Sequence, residues 1–538
     1  MKILLRPVGL TFFFLATHLL QSQASAPGGS NLLFYGVAAL ALIIFFFIVV
    51  SVADNFMVIE SKQMGIKDSS TMGLFPNIRE FFRGKKPGYL DTAHVYTLTK
   101  GYDIPMAGAP QDVIREPNVT RFAVTPPDYF GLRPIPKMLV EEGDVVKAGD
   151  PLFFDKNMPR IKFVAPVSGE VIGINRGLKR SISEVVILAD KEQVSRTYTL
   201  PGREASREEL VEFLLESGVW PAIRQRPYNR VADPDIEPRD IFVSTFDTAP
   251  LAPDLKLALR GRMDVFQAGI DVLRRLTPGL VYLGLDGRGE KDSPYSVTRG
   301  VEKRYFRGAH PAGNVGTQIH HIHPCGRGEN TVWTLGVEDV LLFGELFQNG
   351  RFDTSRLVAL SGDSFSEPCY VRTYAGANIG ELIAGENVRE HSRIISGDVL
   401  SGTKKSTDNY LSYFDNQITA IEEGDHAEVF GWLIPNSAKA SVSPTVPVLS
   451  NDLHLTTRTN GEKRAFVVNN DYEQVLPMDI YMTQLMKSII VNDLESMEGL
   501  GIYELVPEDV ALCEFACVSK QPLQQLLRQG HDTMIAQG

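Results

Sequence analysis

Between Lys137 and Asn175 the chain reads KMLVEEGDVVKAGDPLFFDKNMPRIKFVAPVSGEVIGIN, and this stretch decides the fold of the region around it. Leu139–Val140 and Pro151–Phe154 read as short apolar strands flanking the turn EEGDVVKAGD. A polar hairpin, DKNMPRIK, then leads into a second turn at APVSGEV, punctuated by Pro166 and Gly169. Gly143, Gly149 and Gly169 suit turns that need positive φ or close backbone approach.

This pattern resembles the barrel-sandwich hybrid of biotinyl and lipoyl carrier domains. A carrier presents a modifiable lysine on its hairpin, between methionines or beside acidic residues. Here Lys156 and Lys162 sit off that position and Pro159 occupies the tip region, so the barrel reads as scaffold.

The flanks narrow the resemblance. LTKGYDIPMAGAPQDVI (Leu98–Ile114) and DYFGLRPIPKM precede the core of the barrel, and INRGLKRSISEVVI follows it. LLESGVWPAIRQRPYNRV, IFVSTFDTAPLAPD, HPAGNVGTQIHHIHP, RIISGDVLSGTK and ALCEFACVSK come after, in order. From Leu98 to the C-terminus these motifs closely resemble the A subunit of the bacterial sodium-translocating NADH:quinone reductase. Two departures stand out: Gln318 replaces a histidine of the family's HPAG-x-x-GTHIH, and Val518–Ser519 follow Cys517 where the family has proline and another residue.

The resemblance implies a membrane complex of six subunits that reduces quinone with NADH and exports sodium from the cytoplasm. It implies NADH, FAD, FMN, riboflavin, iron–sulfur and quinone for the complex, and no flavin or cluster on this chain. Its partners would be the other subunits, the membrane-embedded B subunit above all. Within the chain, the second domain resembles the flavin subunit of respiratory complex I in fold, but GLDGRGE (Gly284–Glu290) is not that protein's glycine-dense flavin loop.

Composition sets outer limits. At 538 residues and 43% hydrophobic content, the chain has room for about two to four domains. A net charge of −11, with no basic stripe interleaved with aromatics, excludes a nucleic-acid partner. Cys325, Cys369, Cys513 and Cys517 are too few and scattered for a disulfide scaffold, which suits a reducing compartment.

The expected architecture is α/β multidomain. Residues 1–26, with Val8–Leu20 behind Lys2 and Arg6, read as a signal-like or first membrane segment. Leu32–Val52 carries no charge and reaches about 30 Å as a helix, so a transmembrane helix is predicted at 32–52. A basic linker, 54–91, holds Lys62, Lys67, Arg79, Arg83, Lys85 and Lys86, and Phe75, Ile78, Phe81 and Phe82 within it allow an amphipathic helix. The positive-inside rule places this side, and the large body after it, on the cytoplasmic face of the inner membrane.

The barrel-sandwich hybrid domain is assigned to 92–198. A Rossmann-like α/β domain follows at 199–362, opened by a Ser206/Glu209 capping box. In it DIFVSTF, GLVYLGL, TVWTLG and RLVALSG alternate as strands with helices at Met263–Leu276 and Val337–Phe347. A β-grasp unit like the soluble-ligand-binding module is placed at 363–435, and a helical C-terminal domain at 436–538.

Catalytic and metal residues are not assigned. On a helix Cys513 and Cys517 would share one face, and they read as core thiols, as a site shared with another subunit, or as a redox pair. His310, His320, His321 and His323 lie among Pro311, Gly316 and Pro324, which argues for loop or strand. Quinone needs an apolar slot with one or two donors. The candidates are Phe130, Gly131, Leu132 and Arg133 of FGLRP, with His310 and His320, whose neutral rings can donate to a carbonyl. A rival reading is a membrane-fusion efflux adaptor, which also follows one span with a barrel-sandwich domain but inserts a long α-hairpin into it.

Intact-mass spectrometry of the natively expressed chain is expected to show no lipoyl or biotinyl adduct. A major species heavier by either group, mapped to Lys156 or Lys162, would contradict the scaffold reading.

Overall fold

Segments that alternate between continuous apolar strands and amphipathic helices build a doubly wound sheet, and the rest of the C-terminal body is arranged around it. The computed structural model describes residues 32–63, 87–132, 136–202, 204–426, 431, 439–444 and 450–537. It divides into two units, Met1–Lys86 and Pro87–Gly538.

In the first unit, Leu32–Gln63 is one helix of 32 residues. The helix runs past Val52 into the stretch read as linker and takes in Asp54, Glu60 and Lys62. Leu42, Phe45 and Phe46 on it are exposed. Among the described residues no helix is long and apolar enough to cross a membrane. The transmembrane expectation for 32–52 thus gains a helix but no span. The signal-like segment 1–26 and the amphipathic stretch around Phe75–Phe82 lie outside the described residues.

In the second unit, the central sheet runs in the order Val95–Thr97, Glu302–Arg307, Val281–Asp286, Asp240–Ser244, Val332–Leu335, Arg224–Arg226, Arg230–Val231. The first five strands are parallel and the last two antiparallel. The chain lays down Asp240–Ser244, adds two strands on one side, then crosses to add Val332–Leu335 on the other. Ile241, Phe242 and Val243 are all buried, as expected for a parallel strand covered on both faces. Helices Met263–Leu273 and Val337–Asn349 touch through glycine. A Cβ on Gly269 would lie 2.1 Å from the Val340 carbonyl oxygen, and one on Gly344 1.9 Å from that of Val265.

The barrel-sandwich unit consists of two sheets. One holds Arg121–Val124, Ile182–Ala189, Gly169–Arg176 and Val145–Val146; the other holds Lys137–Met138, Pro151–Asp155 and Met158–Val164. Phe153 and Phe163 stack in its core with centroids 4.9 Å apart. The first short strand is Lys137–Met138, not Leu139–Val140, and Pro159 lies inside a strand while Lys156–Asn157 make the turn. Its last two strands are separated by one 3-10 turn, Leu178–Arg180, where an efflux adaptor's long α-hairpin has no counterpart among the described residues.

The third sheet runs Thr403–Lys405, Ser392–Ser396, Gln417–Glu422, Ser355–Ser361, Cys369–Tyr374, Ile114–Arg115. Three segments therefore join sheets other than those expected. Val95–Thr97 extends the α/β sheet, Ile114–Arg115 extends the third sheet, and Ser355–Ser361 pairs antiparallel with Cys369–Tyr374. Two- and three-residue edge strands are recruited by backbone hydrogen bonds and leave no side-chain period to read. Ser355–Ser361 follows a helix as a buried apolar run, which is also what the next strand of the α/β sheet would look like.

Helices Met482–Ile490, Leu494–Gly499, Pro507–Ala516 and Leu523–Gln537 pack into a separate hydrophobic core. A buried ion pair fastens this core to the α/β sheet. Arg226 donates from Nη1 to Asp509 Oδ2 at 2.9 Å and from Nη2 to Glu508 Oε1 at 2.6 Å. Arg226 and Asp509 are each 1% exposed, so neither can turn to water. Arg226→Ala would leave the Asp509 carboxylate buried without its cation, at an expected cost of about 3–5 kcal/mol. Chemical denaturation of the body is the check: a loss below about 1 kcal/mol, the scale of a surface pair, would contradict the fastening role.

Candidate functional site

Open α/β sheets bind ligands beyond the carboxyl ends of their strands, where the strand order reverses. Here the order reverses between Asp240–Ser244 and Val332–Leu335, and the loops after Asp240–Ser244, Val281–Asp286 and Glu302–Arg307 extend that edge on one side. The first carries Asp247 and Thr248, the second Arg288, the third His310.

His310 sits at the centre of a hydrogen-bonded chain. The Gly313 N–H donates to Thr248 Oγ1 at 2.9 Å, and Thr248 Oγ1 lies 3.2 Å from His310 Nδ1. The His310 N–H donates to Asp103 Oδ1 at 2.8 Å. Burial lowers the His310 pKa against the pull of Asp247, Asp398 and Asp103, so the ring is neutral in this setting. Burial raises the Asp247 carboxyl in turn, while the Ala249 N–H, at 2.8 Å, favours its charged form.

Arg288 covers the same edge. Its Nε and Nη2 each lie 2.9 Å from the Asp286 carboxylate, and its guanidinium lies 5.7 Å from the Phe246 ring centroid. The GLDGRGE turn is thus filled by its own Asp286–Arg288 pair. Asp103, Asp247 and Thr248 were not among the candidates drawn from sequence; the signal for the last two was their place directly after a buried strand.

His320 and His321 are not in a loop, while His323 lies just past the helix end in an extended conformation. Val315–Ile322 is an α-helix with Asn314 at its N-cap, which corrects the loop-or-strand expectation drawn from its proline and glycine neighbours. Gly316 is there because a Cβ would lie 2.3 Å from Asp509 Oδ2 and 2.5 Å from Arg226 Nη1, so the helix seats itself on the buried ion pair. His320 Nδ1 lies 2.7 Å from Glu504 Oε2, and its Nε2 accepts the Asp479 N–H at 3.2 Å. His321 Nε2 donates to the Pro477 carbonyl at 2.7 Å, and His323 Nδ1 lies 3.1 Å from Asp240 Oδ2. Each ring has a different partner. Among the described residues no group of three or more His, Cys, Asp or Glu could hold a metal ion.

The Phe130–Leu132 turn lies elsewhere, against the barrel. Phe130, Gly131 and Leu132 edge a small cavity of about 40 Å3 with Met158, Phe163 and Arg230. That is room for one or two waters. Phe130 is 41% exposed, and the Arg528 guanidinium lies 4.3 Å from its ring centroid. Arg133 lies outside the described residues. His310 and His320 do not line this cavity, so the sequence-derived quinone candidates do not form one pocket among the described residues.

All four cysteines are free and buried. Cys517 lies 2.9 Å from the Tyr472 hydroxyl and accepts the Gln521 N–H at 3.4 Å. Burial raises the Cys513 thiol far above its usual range, which makes it a poor nucleophile.

Thr248→Val keeps the volume and removes the hydroxyl between Gly313 and His310. It is expected to cost about 1–3 kcal/mol by leaving buried polar groups unpaired, and to move the His310 ring signals in an NMR spectrum. Unchanged stability together with an unchanged ring environment would contradict the hydrogen-bonded chain.

Family models match three consecutive stretches: the NqrA N-terminal barrel-sandwich hybrid domain at residues 96–190, the NqrA second alpha/beta domain at 205–352 and the NQRA C-terminal domain at 357–407. The A subunit of the Na(+)-translocating NADH-quinone reductase of Psychromonas ingrahamii is 40% identical over 440 residues, 80% of this chain and 97% of that protein. The corresponding subunit of Neisseria meningitidis serogroup A is 40% identical over 449 residues, 82% of this chain and 99% of that protein. That of Rhodopirellula baltica is 39% identical over 460 residues, 83% and 99% respectively. Among solved structures, the NAD+-reducing NiFe hydrogenase in the air-oxidized state aligns at a TM-score of 0.31 and 12% identity, over 56% of this chain and 60% of that one, too loosely for any inference. The identity over nearly the whole length of these relatives places the chain in the NqrA family, the A subunits of the Na(+)-translocating NADH-quinone reductase.

Proposed function

We propose that the chain works as a peripheral subunit of a sodium-translocating NADH:quinone reductase, a complex that passes electrons from NADH to quinone and exports sodium. The observation that carries this is the end-to-end match, which takes in 97% of the Psychromonas protein without leaving out the barrel, the α/β unit or the third sheet. Its role is that of a scaffold. FAD, FMN, riboflavin and iron–sulfur centres are assigned to other subunits, and the membrane-embedded B subunit is the docking partner. The buried thiols and the self-filled GLDGRGE turn fit a scaffold that does no electron transfer of its own.

Quinone is assigned to the Phe130–Leu132 edge. Phe130 offers an exposed ring there, whereas His310 and His320 engage internal partners through Nδ1 and through both ring nitrogens respectively. A cavity of about 40 Å3 is too small for a quinone ring, so this edge would supply one wall of a site completed by another subunit. The membrane attachment rests on sequence: Leu32–Val52 is uncharged, and basic residues follow it. In this reading it anchors the chain with the body on the cytoplasmic side, raising its effective concentration at the complex.

A membrane complex stripped of its own NqrA component provides the test. Added full-length chain is expected to restore sodium-stimulated NADH:quinone activity. Chain lacking Met1–Asp54 is expected to do so only at higher concentration. No restoration at any concentration, with no co-purification with the membrane subunits, would overturn the assignment. Equal titration curves for the two forms would remove the anchor.

A further inference from the structure

A cavity of about 630 Å3 lies between the third sheet and the C-terminal helices, within the range of about 300–1,000 Å3 typical of small-molecule sites. None of the quinone candidates among the described residues lines it. One wall is apolar, made by Met106, Ile395, Val399, Leu400, Leu455 and Phe515. These come from the segment before the barrel, the third sheet and its turn, the stretch at 450–458 and the end of the Pro507–Ala516 helix, so the cavity exists only when all of them are assembled.

The charged residues around it are Arg393, Lys439, Arg458 and Lys520 against Asp471 and Glu514. Arg393 is held by Glu423, with Nε–Oε2 at 2.8 Å and Nη2–Oε1 at 2.6 Å. Glu514 accepts the Gln524 N–H at 3.0 Å, and Asp471 accepts an Asn469 amide proton at 2.6 Å. Lys520 is half-buried, and its ammonium pairs with no carboxylate among the described residues. It also adopts a left-handed backbone, φ +49°, a conformation unfavourable for a residue with a side chain. Its N–H bonds to the Cys517 carbonyl at 3.2 Å, and the preceding Ser519 carbonyl accepts from Arg464 at 2.8 Å. The fold thus holds a cation with no carboxylate partner among the described residues, in a strained position, at the edge of a cavity with one apolar wall.

We propose that this cavity binds an amphipathic anion, its apolar chain lying on the Val399–Leu400 and Phe515 wall and its single carboxylate or phosphate head at Lys520. This is separate from the quinone assignment, because a neutral quinone offers no charge to an ammonium.

The test is isothermal titration of the full chain with dodecanoate and with dodecyl phosphate below their micelle concentrations, with dodecanol and inorganic phosphate as controls. Saturable binding of at least one amphiphile is expected, and whichever binds tighter identifies the head group. Lys520→Gln is expected to weaken it about tenfold or more, and Val399→Trp, which fills the cavity, to abolish it. Both variants leave the exposed apolar helix Leu32–Gln63 untouched, so binding there would not respond to them. The proposal is overturned by absence of saturable binding, by dodecanol or inorganic phosphate binding as well as the amphiphiles, or by Lys520→Gln binding like the parent. If Val399→Trp lowers the melting temperature, the Lys520 variant and the dodecanol comparison decide alone.

Discussion

Arg226 is the residue around which the body is organised. Its guanidinium leaves the antiparallel edge of the α/β sheet and reaches two adjacent carboxylates at the start of the Pro507–Ala516 helix. Asp509 also accepts the Val506 N–H at 3.0 Å, so one carboxylate both caps the helix and anchors it to the sheet. Burying such a pair is expensive and is compensated only when the geometry is good. Here the cost brings positional definition: a third element, the Val315–Ile322 helix, packs its Gly316 directly onto the pair. The Asn314 side-chain amide donates a hydrogen bond to the Glu508 carbonyl at 3.1 Å, and the hydrogen bonds of His320 and His321 to the C-terminal domain lie on the same helix.

A second set of internal bonds fills the ligand edge of the doubly wound sheet. In folds of this kind the edge usually holds a cofactor against glycine-rich backbone. In this chain its groups bond to one another: Thr248 to His310, His310 to Asp103, Arg288 to Asp286. The edge has become packing that holds the segment before the barrel against the sheet.

Much of this was legible in the sequence where local chemistry decides. The Ser206/Glu209 capping box forms as read, with the Glu209 N–H on Ser206 Oγ at 3.2 Å, and Gly218 ends that helix at φ +78°. The barrel and the strand–helix alternation followed from turn glycines and apolar runs. What escaped was whatever distant partners decide. Val315–Ile322 looked like loop because Gly316 and the flanking prolines argue against helix, yet Gly316 is required by Arg226 and Asp509, far away in the chain. The strands at Val95–Thr97 and Ile114–Arg115 are set by the sheets they join. The quinone candidates were chosen by residue type, and residue type could not show that the partners of His320 lie in the C-terminal domain.

A double-mutant cycle on Arg226→Met and Asp509→Leu tests the organising role of the pair most directly, read as unfolding free energy of the body. Arg226→Met, which leaves the Asp509 carboxylate buried without its cation, is expected to cost about 3–5 kcal/mol, and Asp509→Leu less, because Arg226 keeps Glu508 through Nη2. The double change, which replaces the pair by apolar groups, is expected to cost far less than the sum of the two. Costs that add to within about 0.5 kcal/mol would mean that the two residues act independently, and that the ion pair is not what holds the C-terminal domain to the sheet.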